Sequence, residues 1–538
     1  MRRFRSLSLV ALVLAASALV GSVFGRRAFA GADVASAQMT TFAAAVSAVE
    51  GRYVDTVESD RVIYSAIRGM LGTLDPHSSF FDPREYAQMR ERQEGRYYGL
   101  GITIQSIQGD ITAASVFEGS PASKVGIRRG DVIATIGGAT AKGLTTEQAM
   151  KLLRGPKDTV VRLEVRRQGY DQPIGVDVTR DEVQILTVPA AFMIDGTTGY
   201  IRHQEWGENT DAEIRKALAD LRSRGMQRLL YDIRGNPGGP LDQAIRVSNE
   251  FLPKGRMIVY TRGRIRNSDQ DYRATEDSTF TDVPMVVIAN RNSASASEIF
   301  TGSLQDHDRA FVVGETTFGK ALVQSVYPIS NGAGLALTTA HYFTPSGRLI
   351  QRPWDETFDE YLSYTQRDQT GTRAHNPADL KKTDGGRPVY SGGGIEPDRY
   401  VPGQVEGFNP SAFSRALYGR GEFETFAQQF DAEGTRPFGR ASTGRRTVAK
   451  NFAVDDAMLE AFKASLVARA VKIDESAWAQ DRVFLTAMVR YRIDEAVFGI
   501  AEARRRLVGV DPQAQAALQA FGEAERLPGL ARNAARAQ

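Results

Sequence analysis

The distribution of apolar and polar positions divides the chain into stretches of different period. From Leu7 to about Phe24 the chain is predominantly apolar and carries no charge. From about Thr40 to Tyr98, Phe42, Val46, Val49 and Val54 recur at roughly helical spacing until Leu74-Asp75-Pro76-His77 breaks the pattern, which predicts a helical unit over 40–95. Between Gly99 and about Val178, short β-rich runs alternate with Gly- and Pro-containing turns around one helix near Thr145–Leu153. From Thr198 to about Tyr342 strands alternate with helices, the pattern of βαβ crossovers. There Leu229-Leu230-Tyr231 and Met285-Val286-Val287-Ile288 read as buried strands, and Leu241, Ala244, Ile245, Ser248 and Leu252 mark one helix face. The polar stretch from Arg352 to Gly394 predicts a long insertion loop. Beyond Phe408 helical spacing returns, as in Met458, Phe462 and Leu466 and in Phe484, Met488 and Tyr491. No fixed-period repeat is present.

At 538 residues the chain exceeds one core, and about 100–200 residues per domain predicts several compact units. Apolar residues at 42% and charged residues at 24% exclude a disordered class. With 67 basic and 64 acidic residues the net charge is +3, so no global field points to nucleic acid. The absence of cysteine excludes disulfides, thiolate metal sites, a cysteine nucleophile and a lipidated N-terminal cysteine. Arg2, Arg3 and Arg5 before the first apolar run, with Arg26-Arg27 and Ala28-Phe29-Ala30 after it, have the form of an export signal. Residues 1–30 are therefore expected to be a signal peptide or a retained membrane anchor. Either sends the rest of the chain to the periplasm or to the extracytoplasmic face of the inner membrane.

Three segments could carry chemistry. Asp232-Ile233-Arg234-Gly235-Asn236-Pro237-Gly238-Gly239 lies between a buried strand and a helix, with Pro240 where a missing N–H costs little. Its amides suit a phosphate or the oxyanion of a tetrahedral intermediate, or the glycines serve only a tight connection. It matches neither the P-loop nor the dinucleotide fingerprint. Asn290-Arg291-Asn292-Ser293-Ala294-Ser295-Ala296-Ser297-Glu298 opens a helix with small residues that admit a substrate backbone, and its serines are helix caps or nucleophiles. His77, His203, His307, His341 and His375 lie in no motif that sets them beside these serines. Lys320, in Thr316-Thr317-Phe318-Gly319-Lys320-Ala321-Leu322-Val323-Gln324, can take a serine proton where burial favours its neutral form. Phe318, Leu322 and Val323 offer that burial; outside such a setting the lysine is a solvated surface charge.

Taken together and in this order, the donor turn, Ser293-Ala294-Ser295-Ala296-Ser297-Glu298, Leu304-Gln305-Asp306-His307 and Phe318-Gly319-Lys320 resemble the carboxyl-terminal processing peptidases, or tail-specific proteases. The resemblance runs from about Thr40 to about Leu518. It implies a nucleophile at Ser295, a base at Lys320 and a glutamine at Gln324 that orients the lysine. It also implies an oxyanion hole from the amide of Ala296 and one from Gly238 or Gly239. Many members have Gly where this chain has Ala321, which bears on local loop conformation.

Tyr97-Tyr98-Gly99-Leu100-Gly101-Ile102-Thr103-Ile104 has the form of a PDZ carboxylate-binding loop running into a strand, and Ser120-Pro121-Ala122 and Gly130-Asp131-Val132-Ile133 resemble the rest of such a domain. Amides near Gly99, Leu100 and Gly101 would hold a terminal carboxylate while the peptide adds a strand beside Ile102 and Ile104, with Ala149 and Leu152 lining the side-chain pocket. Arg154, at the end of that helix, complements the helix dipole or couples tail binding to the distant site.

The expected architecture is multidomain α/β. A PDZ domain over 96–180 is inserted before a ClpP/crotonase-like α/β peptidase core over 185–402, with the insertion at 352–394, and a helical region over 403–538 follows. The expected function is a serine endopeptidase that cleaves exported proteins near the C-terminus through an acyl-enzyme. The alternative is a non-catalytic PDZ scaffold or chaperone for exported tails. The implied partners are protein or peptide C-termini and no nucleic acid. No metal or cofactor is implied, and homo-oligomer formation stays open.

Overall fold

The computed structural model describes residues 36–107, 109–117, 119–354, 358–366, 375–434 and 445–531. The expected signal peptide or anchor at 1–30 lies outside the described residues. The chain forms two compact units, one of residues up to Arg84 together with Val326–Leu337, the other of Glu85–Ser325 and Thr338 onward.

In the first unit a helix over 36–52 is followed by the helix Ser59–Leu71 and the strand Ser79–Phe81. Asp75 ends the helical pattern by accepting the amides of His77 and Ser78 at 2.8 and 2.7 Å, an Asx-type turn. Ser79–Phe81 then pairs antiparallel with residues 334–336, and Phe80 packs with Leu71 and Ala333. The helical unit expected over 40–95 is thus interrupted by a strand. Its last helix, Pro83–Glu94, runs into the second unit.

The second unit opens with five antiparallel strands in the order Ile102–Ile107, Asp110–Val116, Val132–Ile136, Val160–Arg166 and Ile174–Thr179. Val160–Arg166 and Ile174–Thr179 alternate buried and exposed residues without a break, as one-sided strands must. The helix Thr146–Leu153 begins in a reciprocal capping box between Thr145 and Gln148 and buries Ala149 and Leu153 on the sheet.

The peptidase sheet has the order Ala190–Met193, Thr198–Arg202, Arg228–Asp232, Met285–Ala289, Phe311–Gly314 and Arg399–Tyr400, parallel throughout except for the first pair. Met285–Ala289 at its centre reads as an unbroken apolar run because both of its faces are covered. Leu229, Tyr231, Val287 and Val312 point to a core shared with Leu218, Val247 and Phe300 of the crossover helices. Leu230, Val286, Ile288 and Val313 point the other way, onto Ala514, Ala517 and Phe521 near the C-terminus. Each buried aliphatic side chain contributes about 1.5–3 kcal/mol relative to exposure.

The region after residue 402 is mainly helical, as expected, with its own core of Phe408, Phe423, Phe462, Trp478, Phe484 and Met488. It also holds one short parallel pair, Phe430–Ala432 with Arg446–Val448. Ion pairs from Arg128 to Asp431 and from Arg129 to Glu424 tie it to the first sheet. The described parts of 352–394 are packed rather than free. Gly392 and Gly394 donate to Leu349 and Ile350 at 2.8 and 2.9 Å, and Tyr361, fully buried, meets Phe318 edge-on at 5.0 Å.

Candidate active site

Three loops leave the C-terminal ends of three adjacent parallel strands, where open α/β sheets place their sites: 233–240 after Arg228–Asp232, 290–295 after Met285–Ala289, and 315–321 after Phe311–Gly314.

Asn236, fully buried, joins the first two loops. Its carbonyl accepts the amide of Ala294 and the hydroxyl of Ser297, both at 3.0 Å, and its side chain accepts the amide of Gly238 at 3.0 Å. Gly238 has φ +92°, and a Cβ there would lie 2.6 Å from the carbonyl of Ala294 and 2.7 Å from Cβ of Ser295, so only glycine fits. Because the Gly238 amide is turned to Asn236, Gly239 is the member of the pair whose amide has no acceptor among the described residues. The same holds for the Ala296 amide at the start of the helix Ala296–Asp306.

The three serines divide by their surroundings. Ser293 is fully buried, with its hydroxyl donating to the carbonyl of Ile233 and accepting the amide of Asn290, both at 3.0 Å. Ser297 is fully buried too, accepting the Trp206 indole N–H at 3.0 Å. Ser295 is half-buried at φ +55° and ψ −115°, a strained conformation for a residue with a Cβ, of the kind that turns a side chain out of a strand-to-helix turn.

The carboxylate of Glu298 ties the second loop to the third. Fully buried, it accepts the Thr317 hydroxyl at 2.5 Å, the Gly319 amide at 2.7 Å, the Lys320 amide at 2.9 Å and the Ser295 amide at 2.8 Å. Burial pushes its pKa up to about 7, against those four hydrogen bonds, which favour the ionised form. The hydroxyl of Tyr342 lies 2.6 Å from the carbonyl of Lys320 and 3.1 Å from that of Ser295. Phe318 donates its amide to the carbonyl of Ser293 at 3.0 Å, and Arg291 grips Glu315 through two bonds of 3.0 and 2.5 Å.

Lys320 is half-buried, and the side chain of Gln324 donates to Thr338 at 3.3 Å. Ala321 lies fully buried outside the positive-φ region, with its amide on the Gln351 side chain at 2.8 Å, so its methyl fits without strain. Glu298 and Tyr342 were not singled out from the sequence. Ser295-x-x-Glu298 carries a capping-box signature that points to the glutamate, whereas nothing local to Tyr342 connects it with a serine 47 residues away.

In the first sheet Leu100 is buried, and Gly101 at φ +78° has Ser120 where a Cβ would stand, 2.2 Å away. The carbonyls of Leu100 and Gly101 are bound inward by the amides of Ala122 and Phe117, each at 2.9 Å. Gly99 ends the strand Arg96–Gly99, opposite Asp181. Ile102 and Ile104, on an edge strand, line a cavity of about 1020 Å³ with Met150 and Arg154 of the neighbouring helix. Leu152, expected in this pocket, is instead 45% exposed and does not line the cavity. The helix buries Ala149 and Leu153 on the sheet and turns Met150 to the cavity, which leaves Leu152 at the solvent edge of that face. Arg154 grips Glu91 through bonds of 3.0 and 2.7 Å and lies 5.1 Å from the Tyr97 ring. Burial pushes the Tyr97 phenol up to about 12.

The model of Peptidase family S41 matches residues 197–355, and that of the PDZ domain matches residues 88–166. The class is therefore a serine-type peptidase with a PDZ domain ahead of its catalytic domain. The chain is 38% identical over 318 residues to a carboxy-terminal-processing protease of Bartonella bacilliformis, covering 58% of this chain and 73% of that protein. It is 32% identical over 358 residues to the carboxy-terminal processing protease CtpA of Bacillus subtilis, covering 65% and 76%. Among solved structures, a photosystem II D1 C-terminal processing protease is 30% identical and aligns over 57% of this chain and 88% of that one, with a TM-score of 0.33. The chain belongs to the carboxy-terminal processing proteases of peptidase family S41. It is a serine protease of C-terminal processing that carries a PDZ domain.

Proposed function

We propose that Ser295 is the nucleophile of this protease and Lys320 its general base, with the amides of Ala296 and Gly239 receiving the oxyanion. Ser295 attacks the scissile carbonyl while the neutral amine of Lys320 takes its proton and then delivers it to the leaving amine; water hydrolyses the acyl-enzyme by the reverse transfers. One observation carries this reading: a single buried carboxylate, Glu298, accepts the amides of both Ser295 and Lys320. Gln324, on the strand that follows the lysine, is assigned to steady it. An unfolded protein with an apolar C-terminus, incubated with wild type, Ser295→Ala and Lys320→Ala, is the test. Loss of cleavage in both variants is expected, and cleavage by Ser295→Ala at the wild-type rate would remove the assignment.

The substrate tail enters by β-augmentation beside Ile102 and Ile104, its carboxylate on the amides of the loop at Leu100 and Gly101. Met150 takes the place in the side-chain pocket first assigned to Leu152, and Arg154 passes tail occupancy to the helix Pro83–Glu94 through Glu91. The substrates are exported proteins met in the periplasm or at the extracytoplasmic face of the inner membrane, to which residues 1–30 bring the chain as signal peptide or anchor. The arginines flanking the Leu7–Phe24 run support this. Fractionation of cells expressing the full chain is the check, with recovery in the cytoplasm as the contrary result.

A further inference from the structure

Beneath the turn 234–239 lies a cluster of six charges drawn from two parts of the chain. The catalytic core supplies Arg202, Asp232 and Arg234, two cations and one anion; the region after residue 402 supplies Glu406, Arg504 and Asp511, one cation and two anions. Five are nearly inaccessible, and Glu406, the most open, has a side chain 17% exposed. Cations and anions of the two parts thus face one another across the cluster.

Arg234 sits at the junction. Its Nε and Nη2 donate to Asp232 at 2.9 and 2.6 Å, Nη2 also lies 2.7 Å from Oδ2 of Asp511, and Nη1 donates to Oε1 of Gln513 at 3.0 Å. Asp511 is itself fixed as the N-cap of the helix Pro512–Gln519, its Oδ1 accepting the amides of Gln513 and Ala514 at 2.9 and 3.1 Å. Gln513 is fixed by donating to the carbonyl of Val401 at 2.7 Å. Gly407, at φ +86°, packs directly on the pair: a Cβ there would stand 1.7 Å from Oδ1 of Asp511 and 2.5 Å from Nη1 of Arg234.

The backbone of Arg234 is the first link of the donor turn. Its carbonyl accepts Nη1 of Arg202 at 2.6 Å, and the next amide, of Gly235, donates to Asn290 at 2.8 Å. Gly235 and Gly238 both have positive φ, and Gly239 follows, so the turn has little stiffness of its own. Oxyanion donors act only when held in place beforehand.

We propose that Asp511 and Gln513 are positioning residues of the protease: by clamping Arg234 they hold the turn 234–239 against the nucleophile loop, so the active site is completed by a segment more than 150 residues beyond the end of the matched S41 domain at residue 355. This rests on the assignment of Ser295 and of the Gly239 and Ala296 amides made above.

The test uses the full chain and the variants Asp511→Asn, Asp511→Glu and Gln513→Met. For each, kcat and KM on an unfolded substrate, the rate of Ser295 labelling by a fluorophosphonate, the affinity for an apolar tail peptide and the melting temperature are measured. Asp511→Asn is expected to lower kcat and the labelling rate about 30-fold or more, the cost of a displacement of about 1 Å in an oxyanion site, with KM and tail affinity within about twofold. Asp511→Glu is expected to recover most of the loss, and Gln513→Met to lower kcat about five- to tenfold. Wild-type kcat in folded Asp511→Asn and Gln513→Met overturns the proposal, as does a loss that disappears on cooling below the variant's melting transition. Should Asp511→Asn not fold, the uncharged exchange Gln513→Met decides by the same criterion. Ser295→Ala, run alongside, separates the two ideas: its activity would remove the nucleophile assignment, whereas an inactive Ser295→Ala beside fully active clamp variants removes the clamp alone.

Discussion

Glu298 accepts the backbone amide of Lys320 at 2.9 Å across 22 residues of chain, and the same carboxylate oxygen accepts the amide of Ser295 at 2.8 Å. The loop with the base and the loop with the nucleophile are thus held by one side chain with no contact of its own to substrate required. Glu298→Gln replaces one acceptor oxygen by a donor facing other donors. A fall in kcat of about 100-fold or more is expected, with tail-peptide affinity unchanged. Steady-state kinetics beside a peptide-binding titration measure both, and a variant with wild-type kcat refutes the role.

The pH dependence of stability follows from the same group. An ordinary glutamate titrates near 4.5, and burial raises Glu298 to about 7. Between those values the folded state keeps a proton that the unfolded chain has released, so stability falls as pH rises through this window and is level above it. The loss reaches about 3 kcal/mol. Urea denaturation at pH 5 and pH 8 should show a larger decline in wild type than in Glu298→Gln, and equal declines would contradict the assignment.

Tyr342→Phe tests the second tie. Removing a buried hydroxyl that lies 2.6 Å from one catalytic-loop carbonyl and 3.1 Å from the other should lower stability by about 1–2 kcal/mol. It should lower kcat about tenfold without altering KM. A stability loss with unchanged kcat would make the tyrosine purely structural.

Gly238→Ala places a methyl against the Ala294 carbonyl at a φ of +92°. The turn must retreat from the nucleophile loop, and a loss of kcat of about 100-fold is expected. The melting temperature should fall as well, because the methyl meets backbone at a positive φ, while tail-peptide binding should change little; full activity in the folded variant would mean that the turn takes no part in the chemistry.

Arg154→Ala breaks a pair of bonds to Glu91 at a partly exposed site. The direct effect on stability is expected to be under about 1 kcal/mol, whereas peptidase activity should fall toward that of a PDZ-deleted form. Activity equal to wild type confines Arg154 to complementing its helix.

The division into periods along the chain was enough to place the βαβ core and the one-sided strands of the PDZ sheet, because burial on one or both faces writes itself directly into local sequence. Val160–Arg166 alternates because one side is wet, and Met285–Ala289 does not because the C-terminal helices cover its second side. The order of the donor turn, the serine segment and the Phe-Gly-Lys segment was likewise legible, since each needs small or glycine residues at fixed local positions. What no local pattern could express was which groups those loops use to hold one another. Tyr342 and Ser295, Glu298 and Lys320, and Arg234 and Asp511 meet through the packing of elements distant in sequence, and a tyrosine, a glutamate or an aspartate at each position reads locally as any other. The same limit explains Leu152, where composition located the helix but only its rotation on the sheet decided that Met150 faces the groove.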